Sequence, residues 1–258
     1  MVTSQAQRWP NATAAIKEAR IVGDNLAGIE RKFGTIAGTG IAKVFDYMAA
    51  ITGCNEAELQ ANDIEYRRVY LQQYDHAAYI PGAELMVFKL LFAGNGQILG
   101  LQGVGKAGID LRIDVAARII ADKGNYNDLL SSEIAFAPPY STAKDALNNL
   151  GSMAQGVIEG YLRYYDFDDL DLPKGNDEMM LVDIRAPEVF QKGHLPQAVN
   201  FPLATIRENL ASLPRHKKIV LYCAYGYGAF IAYCILNQRG FDNAYMLEAR
   251  PLTRYFVK

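Results

Sequence analysis

Hydrophobic and polar positions along this chain follow two different rhythms. Over the first half, apolar residues recur at helical spacing or alternate with polar ones. Residues 12–27 read as a helix, 40–50 and 66–73 have strand character, and a short amphipathic segment, 56–61, lies between those strands. The runs 85–92 and 97–104 flank Ala93-Gly94-Asn95-Gly96, a turn sequence, and predict a β-hairpin. Ile109, Ile113, Ala116, Ala117 and Ile120 recur at helical spacing with Asp110, Arg112, Asp114 and Arg118 interleaved, the pattern of an amphipathic helix. Residues 127–134 and 141–155 read as further helices, the second following Pro138-Pro139 with Ser141 as its cap. The expected class for this half is α+β, an antiparallel sheet with helices.

The second half changes character. Ile219-Val220-Leu221-Tyr222 is an uninterrupted apolar run, as expected of a strand buried on both faces. It ends at Cys223, continues through Ala224, Tyr225, Gly226, Tyr227 and Gly228, and passes into a helical segment over 229–239. A second buried strand is expected over 180–184, which makes this half α/β with a mostly parallel sheet. A thiol at the carboxyl end of a parallel strand lies where such sheets place their ligands. Loop amides and the following helix N-terminus would favour a thiolate there, and any anion attached to it. Cys223 is therefore the leading candidate for chemistry, and the alternative is a packed core cysteine. Residues 219–236 lack charge over a length that could span a membrane, but glycines interrupt the stretch and its tyrosines are not confined to its ends. No membrane association is expected.

Between the halves, residues 157–179 carry Glu159, Asp166, Asp168, Asp169, Asp171, Asp177 and Glu178 against only Arg163 and Lys174, with Pro173, Gly175 and Asn176 favouring turns. This predicts an acidic, solvated linker between two separately cored units. Half of the 258 residues are hydrophobic and the net charge is −2, so an ordinary core is expected and nucleic acid is not an expected partner. The three cysteines form no C-x-x-C pair, which argues against a disulfide framework or a metal site and suits a reducing, cytoplasmic setting. Residues 1–10 lack the apolar stretch of a signal peptide.

Three ordered motifs then carry a resemblance. Asp183-Ile184-Arg185-Ala186-Pro187-Glu188-Val189-Phe190 is followed by Gly193-His194-Leu195-Pro196-Gln197-Ala198-Val199-Asn200 and by the strand–Cys223–loop–helix unit. Residues 164–258 resemble a rhodanese (sulfurtransferase) domain. The resemblance implies that Cys223 is a nucleophile that accepts sulfane sulfur from a donor as a persulfide and passes it to a thiol acceptor. It makes Ala224, Tyr225, Gly226, Tyr227, Gly228 and Ala229 the active-site loop. It also implies that Asp183, Arg185 and Glu188 support that loop from behind, with His194 structural. One departure matters: rhodaneses carry an arginine near the position of Gly228 or Ala229, and this loop has no cation. Thiosulfate is then expected to be a poor donor and a persulfide or polysulfide a better one, and a catalytically weak, rhodanese-like binding module is the alternative. The family's glycine pair near the C-terminus is replaced by Ala249-Arg250, where Arg250 is a candidate for the lost charge.

The first half carries a second resemblance, on residues 34–43, Val44-Phe45-Asp46, His76-Ala77-Ala78-Tyr79-Ile80-Pro81-Gly82-Ala83, residues 98–106, Arg112-Ile113-Asp114 and Ala135-Phe136-Ala137-Pro138-Pro139-Tyr140-Ser141. Residues 19–156 resemble the C-terminal dimerisation domain of flavin-dependent pyridine nucleotide-disulfide oxidoreductases, of the coenzyme A-disulfide reductase and NADH oxidase kind. The resemblance implies a homodimer, with Tyr79 and Tyr140 at positions that reach a partner subunit's active site. Full-length members also have FAD and NAD(P)H domains, each with a Gly-x-Gly-x-x-Gly turn. Here Gly38-Thr39-Gly40 lacks the third glycine and a preceding strand, and the flavin domain's redox cysteine is missing. No cofactor is therefore expected on this chain. It reads as either a shortened protein or a piece of a longer one. The alternative function is the C-terminal part of a flavin-dependent coenzyme A-disulfide or polysulfide reductase, whose flavin half would come from a flavoprotein partner.

Overall fold

The computed structural model describes residues 2–3, 9–34, 36–170 and 177–248. Five antiparallel strands form the first sheet: β1 (Gly40–Val44), β2 (Tyr47–Gly53), β3 (Arg67–Tyr74), β4 (Leu85–Phe92) and β5 (Ile98–Gly105), in the order β1-β2-β5-β4-β3. The expected hairpin between β4 and β5 is present, with Gly96 at φ 86° in its turn. The single strand expected over 40–50 is two. Phe45 sits at φ 53° in a tight turn between β1 and β2 and is 92% exposed, so an apolar residue that read as strand interior is a turn residue.

Helices α1 (Ala12–Leu26), α2 (Glu56–Ala61), α3 (Ile109–Ala121), α4 (Tyr126–Ser131) and α5 (Ala146–Ile158) complete this unit. The last begins five residues later than expected, and Ser141 is not its cap. Asp145 caps it, accepting from the Leu147 amide at 3.0 Å, while Ser141 Oγ donates to the Ala135 carbonyl at 2.9 Å. Asp145 also pairs with Arg112 of α3 at 2.7 Å, both side chains almost fully buried. A local capping box with Asn148 and that tertiary ion pair together fix where the helix starts, and the ion pair is the part local sequence does not register.

The second sheet is parallel throughout: β6 (Tyr164–Tyr165), β7 (Met179–Asp183), β8 (Val199–Asn200), β9 (Lys218–Tyr222) and β10 (Ala244–Leu247), in the order β6-β10-β9-β7-β8. The short α6 (Pro187–Phe190) follows β7, and α7 (Tyr227–Gln238) follows β9. β9 lies at the centre of the sheet, and its Ile219, Val220, Leu221 and Tyr222 are all buried. Coverage on both faces, by α7 on one and by a cluster with Phe167 and Leu195 on the other, explains the unbroken apolar run.

The two units share one core. Buried Leu71 and Phe88 of the first sheet, Leu150 of α5 and Leu162 belong to the same contiguous cluster as Leu221, Cys223 and Ala229. Residues 157–170 are accordingly not a solvated linker: Leu162 and Phe167 are buried, and Tyr164–Tyr165 is itself a strand paired to β10. Residues 171–176 of the expected linker, and Ala249 and Arg250, lie outside the described residues. The acidic count misled because Asp166 is an ion-pair partner. Arg68 of β3 binds Asp166, Glu248 (2.6 Å) and Glu56 (2.8 Å), and Lys89 also pairs with Glu56. One guanidinium, its pKa pushed up by those carboxylates against the effect of burial, therefore joins β3 to both ends of the second unit. Replacing it removes the cation shared by three acids, one of them almost fully buried. Arg68→Ala should lower the unfolding free energy by about 2 kcal/mol in a urea titration, with the two units no longer melting as one.

Candidate active site

Cys223 is the first residue after β9. The chain must turn there from a buried strand into a helix within three residues, and Gly226, at φ 87° and ψ −44°, makes the turn in a region L side chains avoid. As a result α7 begins at Tyr227, two residues earlier than expected, so Tyr227, Gly228 and Ala229 form its first turn. First-turn amides have no partner within their own helix. Here they find one in sulfur: Gly226 N–H donates to Cys223 Sγ at 3.1 Å and Ala229 N–H at 3.4 Å. The amides of Tyr225 and Gly228 act on it in the same sense.

The loop does not deliver a ready thiolate. Cys223 is only 8% exposed, and burial pushes its pKa above the ordinary 9.0, outweighing the four amides that pull it down. The amides favour the charged form as expected, and burial, which the sequence does not show, outweighs them, so the bare sulfur rests as a neutral thiol. Gly228 sits close against its neighbours. A Cβ there would stand 3.0 Å from Ile184 Cδ1 and 3.5 Å from Cys223 Sγ. Ala229 is fully buried.

Asp183 and Arg185 act from the other face of the sheet. Arg185 donates to both carboxylate oxygens of Asp183 (2.6–2.9 Å) and to the Gly193 carbonyl at 2.8 Å. Asn200 Nδ2 bonds the carbonyls of Asp183 (3.0 Å) and Arg185 (2.8 Å). Side chains alternate along a strand. Leu181 and Tyr222 share one apolar cluster with Leu195, whereas Val182, Ile184 and Cys223 belong to the other. The polar group therefore braces β7 and Tyr222, whose backbone is tied to β7 next to the sulfur: Ile184 N–H donates to the Tyr222 carbonyl at 3.1 Å. Burial and Asp183 together push the Tyr222 phenol's pKa up, and its oxygen accepts from Leu195 N–H at 3.1 Å. Glu188 is exposed in the first turn of α6 and takes no part in these bonds. His194 stacks on Phe190, ring centroids 3.8 Å apart, with Nδ1 3.1 Å from the Phe190 carbonyl oxygen, a structural placement.

Two residues that sequence reading missed come from the first unit. Gln72 N–H donates to the Tyr225 carbonyl at 3.3 Å, and the Tyr74 ring lies 5.9 Å from that of Tyr225. Nothing in the local sequence of β3 signals this; only the docking of the units brings them together. Tyr225 and Tyr227 form the exposed aromatic rim of the loop. Tyr79 and Tyr140 lie elsewhere on the first unit's surface, 78% and 76% exposed, on two loops joined by Ala77 N–H to the Pro138 carbonyl at 3.2 Å.

Comparison with known proteins agrees with this construction. Residues 166–249 match the rhodanese-like domain, and residues 40–147 match the pyridine nucleotide-disulphide oxidoreductase dimerisation domain. The chain is a dimerisation domain of that type joined to a rhodanese-like domain. It is similar throughout to the structure of reduced CoADR-RHD from Bacillus anthracis, at 31% identity and TM-score 0.91, covering 100% of this chain and 47% of that one. It is also similar to a NAD-dependent persulfide reductase from A. fulgidus, at 31% identity and TM-score 0.86, over 96% of this chain and 45% of that one. Among curated proteins, the coenzyme A disulfide reductase of Staphylococcus aureus is 36% identical over 148 residues, 57% of this chain and 33% of its own length. The chain thus spans a third to a half of the relatives it matches. Among the described residues, no helix is long and apolar enough to cross a membrane.

The rhodanese-like unit's thiol carries a pH signature. A raised thiol pKa favours the neutral form in the folded chain, so the stability this contributes is present below 9.0 and lost as pH rises through and beyond that value. Iodoacetamide labelling of Cys223, followed by peptide mass spectrometry, should accordingly be slow at neutral pH and accelerate only above pH 9.0. Fast labelling at neutral pH would contradict it.

Proposed function

We propose that the chain is a rhodanese-type sulfurtransferase unit that moves sulfane sulfur through a persulfide on Cys223. The observation that carries this reading is the convergence of loop amides on a sulfur that has no cation in its own loop. Amide donors aimed at the place where negative charge develops are the means by which such loops stabilise an anion. In the step proposed, the resting Cys223 thiol gives up its proton, which the departing R–S⁻ takes up, and its thiolate attacks the outer sulfur of a donor R–S–SH. A new S–S bond forms to Cys223, the donor's S–S bond breaks, and R–S⁻ leaves with the electron pair. An acceptor thiolate then attacks the outer sulfur and releases Cys223 as thiolate. The two attacks leave no net oxidation, so the chain's own residues need no redox cofactor for it. We place neither FAD nor NAD(P)H on this chain, because its one Gly-x-Gly-x-x-Gly run, Gly103-Val104-Gly105-Lys106-Ala107-Gly108, ends a strand paired antiparallel on both sides rather than the parallel strand of a dinucleotide-binding βαβ unit.

A neutral resting thiol and a loop without a guanidinium both disfavour thiosulfate, a dianion that would enter a buried site without a counter-charge in that loop. A persulfide or polysulfide donor suits the aromatic rim of Tyr225 and Tyr227 better. The first unit serves as a homodimerisation module, with Tyr79 and Tyr140 free to reach a partner. A second reading is favoured by the whole-length likeness to two reductase structures. There the chain works as the C-terminal part of a coenzyme A-disulfide or persulfide reductase beside a flavoprotein, and sulfur carried on Cys223 is handed to the flavin half. In this second reading, addition of the flavoprotein with NADH should accelerate loss of sulfur from Cys223.

Polysulfide treatment should add one sulfur to the peptide bearing Cys223, and Cys223→Ser should abolish that mass gain. Cyanide-dependent turnover should be at least tenfold faster with polysulfide than with thiosulfate. An absence of the mass gain would leave the binding-module alternative; comparable turnover with thiosulfate would overturn the donor assignment.

A further inference from the structure

We propose that β3 of the dimerisation unit is part of the sulfur-carrying apparatus, with Gln72 as a positioning residue for the Cys223 cradle. The inference rests on the sulfur-transfer reading and adds to it a contribution from the other domain.

One peptide group links the two units. The carbonyl of Tyr225 accepts from Gln72 N–H at 3.3 Å, and the N–H of that same peptide group, on Gly226, donates to Cys223 Sγ at 3.1 Å. A peptide unit is planar and trans, so its C=O and N–H point in opposite directions and fixing one fixes the other. Hydrogen bonds in such a chain also polarise one another, so the Gln72 donor makes the Gly226 N–H a better donor to sulfur. The need for an external anchor comes from the glycine. With Gly226 at φ 87°, rotation of the preceding peptide plane meets little steric resistance, because glycine populates positive and negative φ about equally. A rotated peptide would present its carbonyl oxygen to the sulfur and repel an anion there. Gln72 holds it the other way.

The anchor is available because β3 is the outer strand of its sheet, where outward main-chain groups have no ladder partner. The Gln72 carboxamide is not the connection: its Nε2 is buried with no hydrogen-bond partner. Tyr74, on the same face of β3, packs its ring against Tyr225 at 57° between planes and bonds its phenol, which raises the Tyr225 pKa. Arg68, also on that face, clamps β3 to Glu248 and Asp166. Two side chains of that face, Arg68 and Tyr74, and the edge amide of Gln72 thus register the antiparallel sheet against the second unit.

Proline at 72 deletes the amide hydrogen, and proline is tolerated on an edge strand where that group lies outside the ladder. In the full chain, Gln72→Pro should move the midpoint of the Cys223 labelling curve upward by about one pH unit, the equivalent of losing one charge-assisted hydrogen bond. The persulfide formed with polysulfide should also decay several-fold faster. Gln72→Ala keeps the amide and should restore the curve of the unaltered chain. Tyr74→Ala, which alters no main-chain donor, should shift the midpoint in the same direction by less, and serves as the deciding variant should Gln72→Pro not fold. A folded Gln72→Pro chain with an unmoved midpoint would overturn the proposal. So would a shift in Gln72→Ala as large as in Gln72→Pro, or, where proline prevents folding, an unmoved Tyr74→Ala curve. The labelling curve reads the cradle whether or not sulfur is carried, so an unaltered chain that takes up no sulfur would sink the transfer reading separately.

Discussion

The rest of the structure is arranged around a sulfur atom buried at the end of the most deeply covered strand, with peptide N–H groups as its polar company. Burial and amide donation oppose each other there, and burial prevails for the bare thiol. The balance is a local one. A singly charged persulfide sulfur loses less to burial than a dianion and still gathers the amides, whereas the thiol must first give up its proton. The same site can therefore be quiet towards stray electrophiles and receptive to an anionic sulfur species.

That site does not belong to one domain. The parallel sheet supplies the strand, the glycine turn and the helix start, with the Asp183–Arg185 pair bracing its far face. The antiparallel sheet supplies the edge against which the loop leans and a guanidinium that holds the halves in register. A single contiguous core runs beneath both. Relative motion of the two domains would thus disturb the sulfur's surroundings directly, and their rigid union is a functional condition as well as a source of stability.

Much of this was legible in the sequence, and the residues show where legibility stopped. β4, β9 and α3 follow from hydrophobic period alone, because each presents an unbroken or strictly periodic apolar pattern. Cys223 stood out because it follows such a run and precedes glycines. Phe45 misled because turn geometry, not hydrophobicity, decides its place, and Ser141 because Asp145 offers a competing cap that closes a box with Asn148 and gains a buried ion pair. Asp166 counted as solvated charge until its partner on β3 was known. Glu188 matched a motif but sits in solvent outside the Asp183–Arg185 bonds. Gln72 and Tyr74 carry no local mark at all, since what matters about them is which edge of which sheet meets the loop.

The crowding at Gly228 has an implication for how this loop can diverge. Any side chain there begins 3.0 Å from Ile184 Cδ1 and beside the sulfur. A chain bearing a basic residue at that position would need the end of the Ile184 side chain to give by a few tenths of an ångström. Packing around Gly228 therefore hinders a charged side chain only slightly, and the stronger demand on it would be to hold a cation beside the buried sulfur.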